Sequence, residues 1–358
     1  MAFTAGELTN IANSMLDYYM NKGDTFKQTI QDKPLLSVFE GKAKTFSGGK
    51  GDISIGIVGA YGAGGVNDTL KGFTHDDTVN FYTPANNLRA AYPWREHHIG
   101  LTLTHTELKI DGLSVTDTNG AGTSAHSERD MHVLVGLMES KLADFGEQYA
   151  RSSNALLWGD GSGDAKALAG IRAAIVANPT TGTYGGLNRA TYTWWRNRAR
   201  TAAHLAAGGT GAVTSATANG GALVQTLQGD FRQLRRFGAK PDQFFAGSDF
   251  IAAMEVEMRA NGNYTQTGFR GVQDAAMGGM KFDGLTVTYD PTLDDLGLAK
   301  RAYIWDSRDI FLMKMQNEWK RQHTPARPAN QFVLYRSVTC TGQVIATRLN
   351  GAMVIDIA

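Results

Sequence analysis

The sequence predicts an α+β fold assembled from several parts, and three observations carry that expectation. The chain has 358 residues, beyond the roughly 250–300 at which a single hydrophobic core stops growing, so two domains or one domain with a large excursion are expected. Helical and strand periodicities follow one another as helix, long hairpin, long helix, small α+β unit and final strands. Glycine supplies 42 residues and charged residues only 19%, against usual shares of about 7% and about 25%. A long, glycine-rich, weakly charged chain keeps its surface polarity low when other copies cover that surface.

The elements follow in order. Thr4-Ala5-Gly6-Glu7 reads as a capping box, and Leu8, Ile11, Ala12, Met15, Leu16 and Tyr19 continue it as an amphipathic helix. Without a basic segment and an apolar core it is not a signal peptide. Lys33 to Glu40 reads as a short connection. Asp52 to Val58 alternates with period two, and Ile99, Leu101, Leu103 and His105 alternate again, with Thr102, Thr104 and Thr106 on the other face. Taken as paired strands, they enclose a glycine-bearing excursion far longer than ordinary hairpin loops. Ser127-Glu128-Arg129-Asp130 starts a helix whose apolar positions Leu134, Met138, Leu142, Phe145 and Tyr149 lead to Trp158. At ~1.5 Å per residue it would be roughly 45–50 Å long. Gly159-Asp160-Gly161-Ser162-Gly163 stops it. Leu205 to Ala222 has linker composition; Leu223 to Arg236 and Ser248 to Arg259 read as helices. Strands are expected at Leu285–Tyr289, Ala302–Trp305, Ile310–Met315 and within Gln331–Ile357.

Several chemistries are excluded. Net charge is +1 with a pI near 7.8, which leaves no electrostatic footprint for nucleic acid. Cys340 is the only cysteine, so no intrachain disulfide forms and a reducing compartment fits. No run of ~18 apolar residues suggests a membrane span; a soluble protein made in a cytoplasm is expected. Asp160 to Asp164 looks like part of a calcium loop, but Ala165 replaces the required glycine and Ile171 the bidentate carboxylate. Gly56 to Gly65 lacks the third glycine of a dinucleotide loop, which Asn67 occupies, and there is no phosphate-loop GK[ST]. His97 and His98 point to opposite faces of a strand, with His105 far along it, so His97, His98, His105 and Glu107 do not make a zinc site. Gly122-Thr-Ser124-Ala-His126 misses the serine-hydrolase elbow by its last residue. No catalytic, cofactor or metal site is expected, and the chain is not read as an enzyme.

What remains points to surfaces. Gly182 to Asn197 is a loop-like stretch that carries Trp194 and Trp195, two of the six tryptophans. Each ring can bury roughly 150–250 Å², and adjacent side chains diverge, so one core can rarely take both. A second surface, such as another subunit, is expected for one of them. Arg196 beside them, and Arg232, Arg235 and Arg236 on one helix face, fit a solvated face or intersubunit ion pairs better than a nucleic-acid patch. Tyr61, Leu70 and Phe73 supply apolar surface in the excursion. These nine residues are the candidate subunit-interface set.

Three stretches carry a resemblance. They are Ala91-Tyr92-Pro93-Trp94-Arg95-Glu96-His97-His98 leading to Gly112, Gly182 through Trp194-Trp195-Arg196-Asn197, and Lys281-Phe282-Asp283-Gly284-Leu285 ending in Asp290-Pro291. With the order of elements, the chain from about residue 35 to 358 resembles the major capsid proteins of tailed bacteriophages, which share the Hong Kong-97 capsid fold. The resemblance implies an N-terminal arm over 1–40, an extended β-hairpin E-loop over 41–110, a peripheral domain over 111–204 with its spine helix at 127–158, an axial domain over 205–300, and strands over 301–358 returning to the peripheral domain. It implies a structural protein that self-assembles, as hexamers and pentamers, into an icosahedral head enclosing double-stranded DNA without sequence specificity. Its place would be the virion, assembled in the host bacterial cytoplasm, with a portal protein and a decoration protein as further partners. Strands begin by about residue 41, which leaves no room for a long scaffolding segment, so a separate scaffolding protein is expected. The alternative within the fold is an encapsulin-like nanocompartment shell; from another class, a glycine-rich α/β enzyme.

Overall fold

The computed structural model describes residues 3–4, 31–59, 72–78, 87–110, 115–116, 128–214, 222–260, 280–323 and 333–358. The N-terminal helical pattern, Tyr61, Leu70 and most of the excursion lie outside them.

The first helix, α1 (Pro34–Gly41), stands where the sequence reading placed a connection. Proline is pre-set for the first helical position, and Leu35 and Phe39, one turn apart, are both buried. That spacing was the available signal. A hairpin follows, formed by β1 (Asp52–Val58) and β2 (Asn87–Pro93) in antiparallel register. The register sets Ile53 opposite Tyr92, Ile55 opposite Ala90 and Ile57 opposite Leu88, so one apolar face is continuous. The threonine-rich strand β3 (Arg95–Thr104) is therefore not the hairpin's second arm. It pairs with the late strand Val333–Ala346 instead, and His105 opens a short helix, His105–Ile110, rather than extending the strand.

The long helix α2 (Glu128–Trp158) has 31 residues, about 46 Å at ~1.5 Å per residue. Next come β4 (Arg198–Arg200), helix α3 (Ala222–Arg235), β5 (Gln243–Ala246) and helix α4 (Ser248–Ala260). The chain continues with strands β6 (Thr288–Tyr289), β7 (Arg301–Trp305), β8 (Ile310–Met315), β9 (Val333–Ala346) and β10 (Met353–Asp356), beside the short strands Lys281–Phe282, Leu285–Thr286 and Arg321–His323. Two five-stranded sheets organise them. One runs β6-β5-β7-β10-β4; in the other, β9 pairs with β3, β8 and the short strand Arg321–His323, and β8 continues to Lys44–Phe46.

The middle of the first sheet is buried on both faces, so β5, β7 and β10 are rich in consecutive apolar residues, while the edge strands β6 and β4 are short and partly exposed. Phe245, Tyr303, Trp305, Val354 and Ala199 face a core shared with Trp158 at the end of α2, with α1 and with the hairpin. Phe244, Ala246, Ala302, Ile304, Met353 and Ile355 face a second core under α3 and α4. The last strands thus do more than return to the long helix: β7 and β10 form the middle of the wall between the cores. On the far side, Glu257 of α4 is buried and accepts from Leu223 N (3.0 Å) and Val224 N (2.7 Å), capping α3.

Candidate subunit-interface site

The first two of the three stretches singled out in the sequence meet around the base of the hairpin. Tyr92, on β2, donates from its hydroxyl to Ala346 O (2.7 Å), and Tyr184 donates to Val344 O (3.0 Å). The two rings meet edge to face at 5.4 Å, and burial pushes both phenols well above their ordinary range. Gly185, at φ +60°, lies so close to the Tyr92 ring that a Cβ there would sit 2.7 Å from it, and its carbonyl accepts from Ala91 N. Only glycine fits both the left-handed backbone and that approach.

Thr193–Trp195 forms a 3-10 turn. Trp195 is 1% exposed and donates from its indole to Tyr184 O (3.0 Å). Trp194 is half-buried, edge to face with Trp195 at 5.8 Å and 5.6 Å from Tyr192. Its ring also covers Gly59, where a Cβ would come within 2.9 Å of ring atoms. Both tryptophans therefore lie against one core, contrary to the expectation from side-chain divergence. The edge-to-face contact lets Trp194 spread over the rim while Trp195 fills the interior. Trp195 offers no surface to a neighbour; Trp194 braces the root of the hairpin.

Arg196 also acts within the chain, donating to Arg189 O (2.7 Å) and Ala190 O (3.2 Å). Arg189, which sequence reasoning passed over, is 1% exposed. It donates to Ala173 O (3.1 Å) and Ala174 O (2.6 Å) at the end of the short helix Ile171–Ala174, and burial lowers its pKa to about 10. Phe73 is 66% exposed.

Arg232 and Arg235 are exposed on α3, while Arg236 lies just past the helix end rather than on its face. Arg235 pairs with Asp283 at 2.7 Å. Arg236 lies over the ring of Phe237, itself 60% exposed, at 5.5 Å. Arg232 and Arg236 form no ion pair among the described residues.

The third stretch ends at a junction that sequence reasoning missed. Asp290 is fully buried and accepts from Trp158 Nε1 (2.7 Å), Thr292 N (2.9 Å) and Asn154 Nδ2 (3.3 Å). Asn154 in turn accepts from Leu36 N (3.0 Å) and donates to Thr292 Oγ1 (2.6 Å). One buried carboxylate thereby fixes α1, the end of α2 and the turn after β6 to one another. The Asp-Pro dipeptide gave a signal only for the helix start at Pro291.

Chemically, this arrangement positions elements. Among the described residues no group of three or more His, Cys, Asp or Glu gathers to hold a metal ion, and no helix is long and apolar enough to cross a membrane. His97 is half-buried, edge-on to Trp319 at 6.0 Å, and burial lowers its pKa.

Comparison with solved structures places this architecture. The chain matches a chain of the cyanophage A-1(L) capsid over 94% of its own length and 96% of the other, with a TM-score of 0.60 and 14% identity. A capsid chain of the empty GTA particle matches over 94% of both chains, with a TM-score of 0.53 and 11% identity. The capsid of the Myoviridae phage XM1 matches over 93% and 94%, with a TM-score of 0.53 and 12% identity. No family model and no curated relative matches the sequence. The chain has the phage capsid fold.

Proposed function

We propose that this chain is the major capsid protein of a tailed bacteriophage, a structural protein whose copies close into an icosahedral head around double-stranded DNA. The end-to-end match to the cyanophage capsid chain, at a TM-score of 0.60, carries the reading. The hairpin base supports it: Tyr92, Trp194 and Gly185 lock the root of the hairpin to the core.

On this reading residues 1–40 are the arm, 41–110 the E-loop, 111–204 the peripheral domain, 205–300 the axial domain, and 301–358 the strands that tie the two domains together. Hexamers and pentamers are the building units. A separate scaffolding protein, a portal protein and a decoration protein are its partners, and DNA is held by confinement, consistent with a net charge of only +1. Co-expression with the scaffolding protein, followed by light scattering and electron microscopy, tests the proposal. Closed megadalton shells are expected; a persistent monomer or dimer overturns it. Shells built around a protein cargo in place of packaged DNA would move the assignment to a nanocompartment.

A further inference from the structure

The second core carries two exposed patches of opposite charge at opposite ends of strand β5. Where the strand begins, the exposed Arg232, Arg236 and Lys240 lie along the segment that carries the exposed Phe237, with Arg236 over its ring at 5.5 Å. Lys240 lies at that end because its amide donates to Asp306, just past the last residue of β7. Where β5 ends, Asp249, Asp294 and Asp295 surround Tyr289 and Leu296, which are 43% and 40% exposed. Tyr289 pairs with Ala246, the last residue of β5, and its hydroxyl donates to Asp294 at 2.7 Å.

Each patch sets exposed apolar surface among charges mainly of one sign: basic at Phe237, where Arg235 carries its own counter-ion Asp283, and acidic at Tyr289 and Leu296. A chain folded on its own gains nothing from holding like charges together around exposed aromatic surface; the arrangement is stabilised when the opposite patch covers it. Two patches at opposite ends of one module cannot meet within one chain, and joining them between copies gives a heterologous, head-to-tail contact, the kind that builds a ring when the rotation between copies closes. We propose that the basic end of this module, centred on Phe237, docks on the acidic end, centred on Tyr289 and Leu296, of the next copy of the chain around each capsomer. This rests on the shell reading and specifies which surfaces of the module bind one another.

Charge reversal tests it at exposed side chains; among the described residues the hydrogen bonds it breaks are exposed ones, from Gln31 Nε2 to Asp295 (2.9 Å) and, in the control, from Lys166 N to Asp164 (2.8 Å). Arg235 is left alone because it pairs with Asp283, and Asp294 because it accepts from Ser248 N. R232E/R236E and D249K/D295K each set like charge against like charge, and particle yield should fall on the order of tenfold or more. The quadruple variant R232E/R236E/D249K/D295K inverts both ends and should recover assembly. R232E/R236E/D52K/D164K has the same net charge, but its lysines lie elsewhere on the exposed surface, and it should remain defective. Circular dichroism and thermal melts of each free subunit should match the parent, since all the substituted side chains are exposed. The proposal is overturned if the two double variants assemble like the parent, if the quadruple variant fails to recover, or if the distant lysines rescue as well. If the parent itself forms no particles, the shell reading falls first.

Discussion

Trp194 and Trp195 show how two identical neighbours separate by role. Trp195 is 1% exposed with its indole N–H bonded to a carbonyl, so Trp195→Ala should cost about 3–5 kcal/mol and unfold much of the free subunit, visible as a lost thermal transition. Trp194 touches the hairpin root at Gly59 and is only half-buried. Trp194→Ala should leave the far-ultraviolet spectrum intact, cost about 1–2 kcal/mol for the smaller area uncovered, and reduce shell yield. A Trp194→Ala subunit that unfolds as readily as the Trp195→Ala one would show both rings to be plain core. Gly170 is a sharper case: a Cβ there would stand 2.1 Å from Leu157 O, a backbone atom that cannot rotate away. Gly170→Ala should cost about 3 kcal/mol or more by overpacking, read as a lower denaturation midpoint; an unchanged midpoint would contradict the closeness of that approach. The aromatic clusters were legible as landmarks, because large rings must be buried somewhere. Arg189, Asn154 and Asp290 were not legible, because a polar residue in sequence gives no sign of being buried until its partners, from distant segments, are known.

At the scale of elements, period and capping located most helices and strands, and α2 opens at Glu128, directly after the Ser127 start signal. Partners were harder: alternation marks a strand but not the strand it pairs with, so β3 was assigned to the hairpin although β9 offers it a ten-residue register from Val333 to Gly342. Helix α1 was missed because eight residues with two buried side chains are too few for a clear period. Its attachment to α2 should be pH-sensitive. Lys33, just before α1, pairs with Glu147 of α2 at 2.9 Å, with side chains 8% and 17% exposed. Partial burial pushes the Glu147 carboxyl up, but hydrogen bonds from Lys33 and Arg151 outweigh it and hold the carboxyl below its ordinary value of 4.5. A folded-state pKa below the unfolded one means that this stabilisation is complete above about pH 4.5 and is lost as pH falls through the lower folded value. Glu147→Gln should therefore cost about 1 kcal/mol at neutral pH and flatten the loss of stability as pH falls below about 4.5. Denaturant midpoints measured across that range decide it: parallel curves for parent and variant would exclude Glu147 as a source of acid sensitivity. Asp290→Ala should cost more, about 3–5 kcal/mol, because it leaves the buried Trp158 N–H and Thr292 N–H without acceptors.

For the whole molecule, the length of 358 residues suggested separable domains, yet the two cores share one wall. The three middle strands of the β6-β5-β7-β10-β4 sheet, β5, β7 and β10, send alternate side chains into different cores: Phe245, Tyr303 and Val354 to one, Phe244, Ile304 and Met353 to the other. Melting either core would expose one entire face of the sheet to water and unseat the strands that complete the other. Chains with several domains commonly unfold in separate steps; here the shared sheet couples the steps into one. The tryptophans make this measurable, because Trp158, Trp195 and Trp305 lie in the first core, Trp94, Trp194 and Trp319 pack against it, and the second core contains none. Indole fluorescence thus reports the first core alone, while far-ultraviolet dichroism also registers α3 and α4 over the second. Leu227, fully buried under α3, is the place to perturb, and Leu227→Ala should destabilise by about 2–5 kcal/mol. In free subunits the fluorescence midpoint should move with the dichroism midpoint, although Leu227 and the tryptophans lie in different cores. A fluorescence transition that stays in place while dichroism splits into two steps would mean that the sheet is a seam between independent domains, and the coupling argued from its two buried faces would have to be abandoned.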